Sequence, residues 1–202
     1  MRIKRVLLWV GIAGVGAVAL AVGSWVHATS NIEEPDYAVV TSADGNRLEV
    51  RDYPALIAAQ VTRSGGRDQA VRAGFSPLAR YIFARERSGE KIAMTAPVTQ
   101  QLGEGDAWTV QFIMPASYDM GDLPAPGQGD VALSEIPAQR RAAIRFSGVA
   151  DDELLAKQEA ALRTWLELEG LTPIGAPIYA YYNDPFTPGF LRRNEVLFDL
   201  AE

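Results

Sequence analysis

One order of elements is written twice in this chain, and that constrains its fold more than any other feature. In the first pass Tyr37–Thr41 reads as a strand, Asp44-Gly45 as a turn, and Leu48, Val50 and Asp52 begin an alternating strand. After Pro54 an apolar run, Ala55–Val61, follows, and Ser64-Gly65-Gly66 ends it. Arg67 to about Phe83 has helical periodicity, with Val71, Gly74, Leu78, Tyr81 and Ile82 on one stripe. Pro77 lies inside this pattern and predicts a kink or a break. Lys91–Val98 and Trp108–Met114 read as strands, the first with Ile92, Met94, Ala96 and Val98 on one face.

The second pass begins beyond Gly121–Gly129, a connection holding two prolines and three glycines. Val131–Ile136 and Ala142–Phe146 read as strands. Asp151 or Asp152 is a good N-cap for a helix running to Glu169, with Gly170 as its stop. Leu155, Leu162, Trp165 and Leu166 form its apolar stripe, and Ile178–Tyr182 and Glu195–Leu200 supply two last strands. Strands, one helix and two strands, repeated, predict a duplicated α+β unit with helices packed on an antiparallel sheet.

Ahead of this domain stands a different kind of segment. Arg2, Lys4 and Arg5 precede an uncharged run of 21 residues, Val6–Val26, long enough to cross a bilayer as one helix. The basic flank would stay in the cytoplasm and the rest of the chain would be placed outside it. Val26-His27-Ala28 also fits a signal-peptidase site. Residues 1–28 are therefore expected to be an inner-membrane anchor or a cleaved signal peptide, 29–36 a linker, and 37–202 the folded domain, periplasmic or secreted if cleavage occurs. That domain is expected to be a soluble monomer. With no cysteine in the chain, a lipid anchor on that residue is excluded.

Composition removes several chemistries. Without cysteine there is no disulfide, thiolate nucleophile or iron–sulfur cluster. The single histidine, His27, lies at the end of the membrane segment, so Ser-His-Asp and histidine–metal schemes are unavailable to the domain. The formal net charge is −6, yet the first 28 residues hold three bases and no acid, so the remainder carries −9. Such a domain does not attract a phosphate backbone, and no nucleic-acid partner is expected. Asp52, Asp184 and Glu195 remain as candidate carboxylates. On the last strand Arg193 and Glu195 share one face, and Asn194, Val196 and Phe198 the other. An Arg–Glu pair locking a sheet edge is the simplest reading of that alternation.

Ordered blocks give this chain a resemblance to a known family. They are Glu49-Val50-Arg51-Asp52-Tyr53-Pro54, Gly74-Phe75 with Leu78-Ala79-Arg80-Tyr81-Ile82, Lys91–Val98, Phe112-Ile113-Met114-Pro115, Leu123-Pro124-Ala125-Pro126, Phe146-Ser147-Gly148, and Tyr182-Asn183-Asp184-Pro185 leading into Arg192-Arg193-Asn194-Glu195-Val196. From about Tyr37 to its end the chain resembles the SOUL family of haem-binding proteins. The resemblance implies two related α+β halves forming a distorted, antiparallel β-barrel-like sheet flanked by two helices. It also implies reversible, non-covalent binding of haem or a related tetrapyrrole, without catalysis. The architecture is similar, too, to bacterial effector-binding domains, so a module for another small apolar or cationic ligand is the alternative. A hydrolase using Glu195 or a tyrosine is a third.

In haem-binding relatives the porphyrin lies against the first helix. Here that helix has a second stripe, Arg72, Phe75, Ser76, Ala79, Arg80 and Phe83, turned away from its core face. An apolar centre with an arginine at each flank suits a flat ring bearing carboxylates, since a guanidinium pairs with a propionate through two parallel hydrogen bonds. Met94 and Tyr181 are further candidates for pocket lining. With no histidine in the domain, tyrosine, methionine or no protein ligand at all is left for the iron.

Overall fold

The computed structural model describes residues 32–127 and 129–201; contacts divide the chain between Ile32 and Glu33, and the architecture below is that of the unit beginning at Glu33. Alternating apolar residues build most strands where the sequence puts them. β1 (Ala38–Ala43) and β2 (Leu48–Tyr53) form a hairpin whose turn residues Asp44, Gly45 and Asn46 all have positive φ, the conformation these residue types tolerate best. β3 (Leu56–Ser64), helix α1 (Arg67–Ile82), β4 (Val98–Leu102) and β5 (Ala107–Ile113) complete the first half. The second half holds β6 (Ala132–Ile136), β7 (Gln139–Phe146), helix α2 (Asp152–Glu169), β8 (Pro173–Tyr181) and β9 (Asn194–Leu200).

The strands form one sheet in the order β1-β2-β7-β9-β8-β4-β5-β3-β6, with every pairing antiparallel. It is open, with β1 and β6 at its edges, rather than a closed barrel. The order is nearly symmetric about the β8–β4 pairing: β7-β9-β8 on one side matches β3-β5-β4 on the other. The strand ahead of each trio is exchanged, because β2 pairs with β7 of the second half and β6 with β3 of the first.

Both helices cover one face of the sheet. α1 buries Leu78, Tyr81 and Ile82 against Ala59, Val61, Val110 and Phe112, and α2 buries Leu155, Leu162, Trp165 and Leu166 against Val50, Ile144, Val196 and Phe198. The predicted ends of α2 hold. Asp151 Oδ1 accepts a hydrogen bond from Leu154 N, and Gly170 ends the helix at φ 68°. At the start of α1, the Arg67 guanidinium donates to Asp152, Tyr181 and the Ala150 carbonyl, so one side chain ties the two halves together.

Four expectations are corrected. α1 runs unbroken through Pro77, which is buried. Lys91–Val98 is not a strand: the segment forms no ladder up to a cis Ala96–Pro97 bond, and β4 starts only at Val98. Its Ile92, Met94 and Val98 still pack toward the core beneath α1, so the face was readable where the hydrogen bonding was not. β9 is no sheet edge, since it lies between β7 and β8. Finally, no helix among the described residues is long and apolar enough to cross a membrane, which overturns the expected membrane-anchored or exported placement. The Val6–Val26 run itself lies outside the described residues.

Candidate functional site

The outward face of α1 presents the second stripe. Phe75 is 41% exposed and Phe83, at the helix cap, is 36% exposed. Ala79 is half-buried between them. Phe75 is also anchored, because its ring meets Phe112 edge-on at 5.2 Å. Arg72 is exposed and, among the described residues, pairs only with Asp68 one turn back, at 2.8 Å. Arg80 Nη1 donates to Ser76 Oγ at 2.7 Å. Its Nε is 2.7 Å from Glu86 Oε1 but off the line of a hydrogen bond, and so is left without an acceptor. Exposed pairs of this kind contribute about 0–1 kcal/mol and exchange readily for a better acceptor. Met94 falls elsewhere: it is half-buried and packs toward the core beneath α1 rather than on the outer stripe. Tyr181 is also remote from the stripe, its hydroxyl held between Arg67 and Gln100.

The face of the sheet opposite the helices carries a polar cluster. Glu49, Arg51 and Tyr53 alternate away from the Val50 face of β2, and Glu195 from the Val196 face of β9. Glu195 is fully buried and accepts two hydrogen bonds from Arg51 (2.7 and 3.1 Å), two from Arg193 (3.2 and 3.0 Å) and one from the Tyr182 hydroxyl (2.8 Å). Arg51 also donates to Glu49, and Arg193 to both oxygens of Glu34. The Arg51 guanidinium lies 4.4 Å from the Tyr37 ring centre and that of Arg193 lies 3.7 Å from Tyr182. Burial works to raise the Glu195 carboxyl, but the Arg51 hydrogen bonds and the charges of both arginines outweigh it, and the group is held below the ordinary carboxylate range. Burial and the Glu195 charge push the Tyr182 phenol well above its ordinary value. Every lone-pair direction of Glu195 is taken, so the cluster clasps β2, β8 and β9 together.

The other two candidate carboxylates are committed as well. Asp52 pairs with Arg140 through two hydrogen bonds on the surface. Asp184 caps its own loop, accepting from Phe186 N, Thr187 N and Thr187 Oγ1.

Beside the clasp opens a cleft of about 840 Å³. Its apolar lining includes Leu56, Ile113, Met120 and Ile136, and its acids are Glu33, Glu34, Asp36, Asp119 and Glu135. Among the described residues no basic side chain lines it, and none of the α1 stripe does. These residues come from four stretches far apart in sequence, each unremarkable alone, so nothing in the chain pointed to the cleft.

Comparison with known proteins agrees with this architecture. A family model described as "SOUL heme-binding protein" matches residues 32–199. Mouse "Heme-binding protein 2" is 28% identical over 146 residues, 68% of this chain and 71% of that protein. Mouse "Heme-binding protein 1" is 27% identical over 135 residues, 64% and 70% of the two chains. Among solved structures, the C-terminal domain of EcmrR superposes with a TM-score of 0.61 at 14% identity, covering 77% of this chain and 97% of that one. A protein from Listeria innocua described as a hydrolase gives 0.55 at 13%, covering 77% and 92%. Those two likenesses are of fold alone. With two helices on one face of a pseudo-symmetric antiparallel sheet and a family match spanning nearly the whole described unit, this chain belongs to the SOUL haem-binding protein family.

Proposed function

We propose that this protein binds haem or a related tetrapyrrole reversibly, without turnover, on the outward face of α1. The observation that carries this reading is the exposure of Phe75 and Phe83 on one side of the helix, with Arg72 and Arg80 beside them. Aromatic faces supply contact area for a flat macrocycle, and the guanidiniums supply propionate partners. The weak pairs of Arg72 with Asp68 and Arg80 with Glu86 leave both free to turn to a ligand carboxylate. The acidic cleft is the poorer place for such a ligand, since Asp36 and Asp119 line it without an ion-pair partner among the described residues, and Arg193 beside it is already held by Glu34 and Glu195.

The stripe fits the macrocycle but offers no histidine, tyrosine, methionine or cysteine to the iron. Binding there rests on contact and charge, and a metal-free porphyrin should be held nearly as well as haem. A hydrolase acting through Glu195 is disfavoured, because that carboxylate is enclosed by its three partners.

Titration with haemin tests the proposal. A saturable Soret shift is expected with the intact protein. Arg72→Ala/Arg80→Ala should weaken it about ten-fold, for the loss of two exposed charge-assisted contacts. No saturable shift at micromolar protein, or an unchanged response in the double variant, would contradict it.

A further inference from the structure

Arg80 carries an unmet hydrogen-bonding demand on the α1 stripe. Among the described residues its Nε is the one buried side-chain nitrogen or oxygen without a hydrogen-bond partner. Native proteins seldom leave such a donor unpaired, and an exception marks a place for another group. Nη1 is directed to Ser76 Oγ, one turn back on the helix, at 2.7 Å. The acids nearby do not relieve Nε. Asp130, whose carboxyl feels the Arg80 charge, is taken by Arg63. Glu86 Oε1 stands 2.7 Å away but out of line, so it offers charge without a hydrogen bond.

The backbone around Glu86 is held from both sides. Ala84 turns the chain off α1 at φ 53°, a conformation costly for a residue with a Cβ, and Arg85 N closes the turn onto the Arg80 carbonyl at 3.0 Å. Arg87 donates from Nε to the Tyr81 carbonyl and from Nη1 and Nη2 to the Ser88 and Glu90 carbonyls, each at 2.9 Å. Its guanidinium also lies 5.0 Å from the Tyr81 ring centre. On the far side Gly127 approaches so closely that a Cβ there would collide with the Glu86 carbonyl. The Glu86 side chain itself is half exposed, so its carboxylate is able to leave Arg80 for water while this frame stays in place.

We infer, on the footing of the tetrapyrrole site proposed for α1, that Glu86 is an internal stand-in for a ligand propionate and gates that site by competing for Arg80. In the empty site Glu86 neutralises the guanidinium without satisfying it. A propionate entering along the Nε–Nη2 edge makes the two parallel bonds that Glu86 does not, and the displaced carboxylate is solvated. Binding is then an exchange of one carboxylate for another, which keeps the net gain small and release easy.

Haemin titrations of the intact chain, Glu86→Gln, Arg80→Gln and the double variant test this gate. Glu86→Gln removes the competing charge at an exposed position and should tighten haemin about three-fold. The gain should vanish in the Arg80→Gln background, because residues in contact couple. Glu169→Gln, which removes an exposed acid from the end of α2, controls for overall charge and should leave the affinity unchanged. The role of Glu86 is overturned, and the α1 site kept, by saturable, Arg80-dependent binding that Glu86→Gln does not tighten. The same holds if the gain persists without Arg80, or if Glu169→Gln matches it. Binding that is absent, or indifferent to Arg80→Gln, would overturn both the gate and the site.

Discussion

At the scale of single residues, Glu195 shows how a carboxylate can be functional in appearance and structural in fact. It is fully buried, on a strand whose neighbours suggest a motif, yet all its acceptor capacity is spent on Arg51, Arg193 and Tyr182. Removing one member of a buried pair leaves the other uncompensated, at a cost of about 3–5 kcal/mol. Glu195→Gln should therefore lower unfolding stability at neutral pH by about 3 kcal/mol, read from urea denaturation. The pH dependence follows from the depressed Glu195 pKa. The stabilisation is fully present above the unfolded value of 4.5 and is lost as pH falls through the lower folded value. The gap between the two proteins should accordingly narrow in acid; a gap that widens there would contradict the assignment. Half of this clasp was readable, since alternation puts Arg193 and Glu195 on one face. Arg51 was not, because its partner lies 144 residues away and only sheet pairing brings them together.

Among elements, the local signals were the reliable ones. The cap at Asp151, the stop at Gly170 and the buried stripe of α2 follow from residue types within one or two turns, and the structure keeps all three. Pro77 misled because the rest of α1 packs so closely on the sheet that tertiary contacts override a local breaker. Lys91–Val98 misled in the other direction: it has a strand's apolar alternation but only an isolated bridge, Thr95 to Glu33, for a ladder. Gly74 is where packing and propensity oppose each other most sharply. A Cβ there would come within 2.8 Å of Val110 Cβ, 2.9 Å of its Cγ2 and 3.1 Å of Val61 Cγ2. Alanine gains about 1 kcal/mol of helix propensity, whereas overpacking costs about 1–3 kcal/mol. Gly74→Ala should therefore be neutral to destabilising by up to about 2 kcal/mol in a urea titration, and a clear gain in stability would show that α1 sits less tightly on β3 and β5.

At the scale of the molecule, duplication was legible and its consequence was not. The sequence repeats its elements, but nothing local says that β2 and β6 cross to the opposite halves, and that exchange makes one continuous sheet of two similar units. The sheet then separates two surfaces of different charge character: the α1 stripe with its arginines outside the helix layer, and the acidic cleft on the helix-free face. On the proposed reading, a dianionic macrocycle is directed to the first of these surfaces rather than the second. That division is tested most directly by nuclear magnetic resonance of the isotope-labelled protein titrated with haemin, whose paramagnetic iron broadens the amide signals nearest to it. The account predicts saturable broadening centred on Arg72–Phe83, with the Ile113–Gly121 wall of the cleft unaffected. Broadening centred on Ile113–Gly121 and Glu135–Pro137, or spread evenly without saturation, would contradict it.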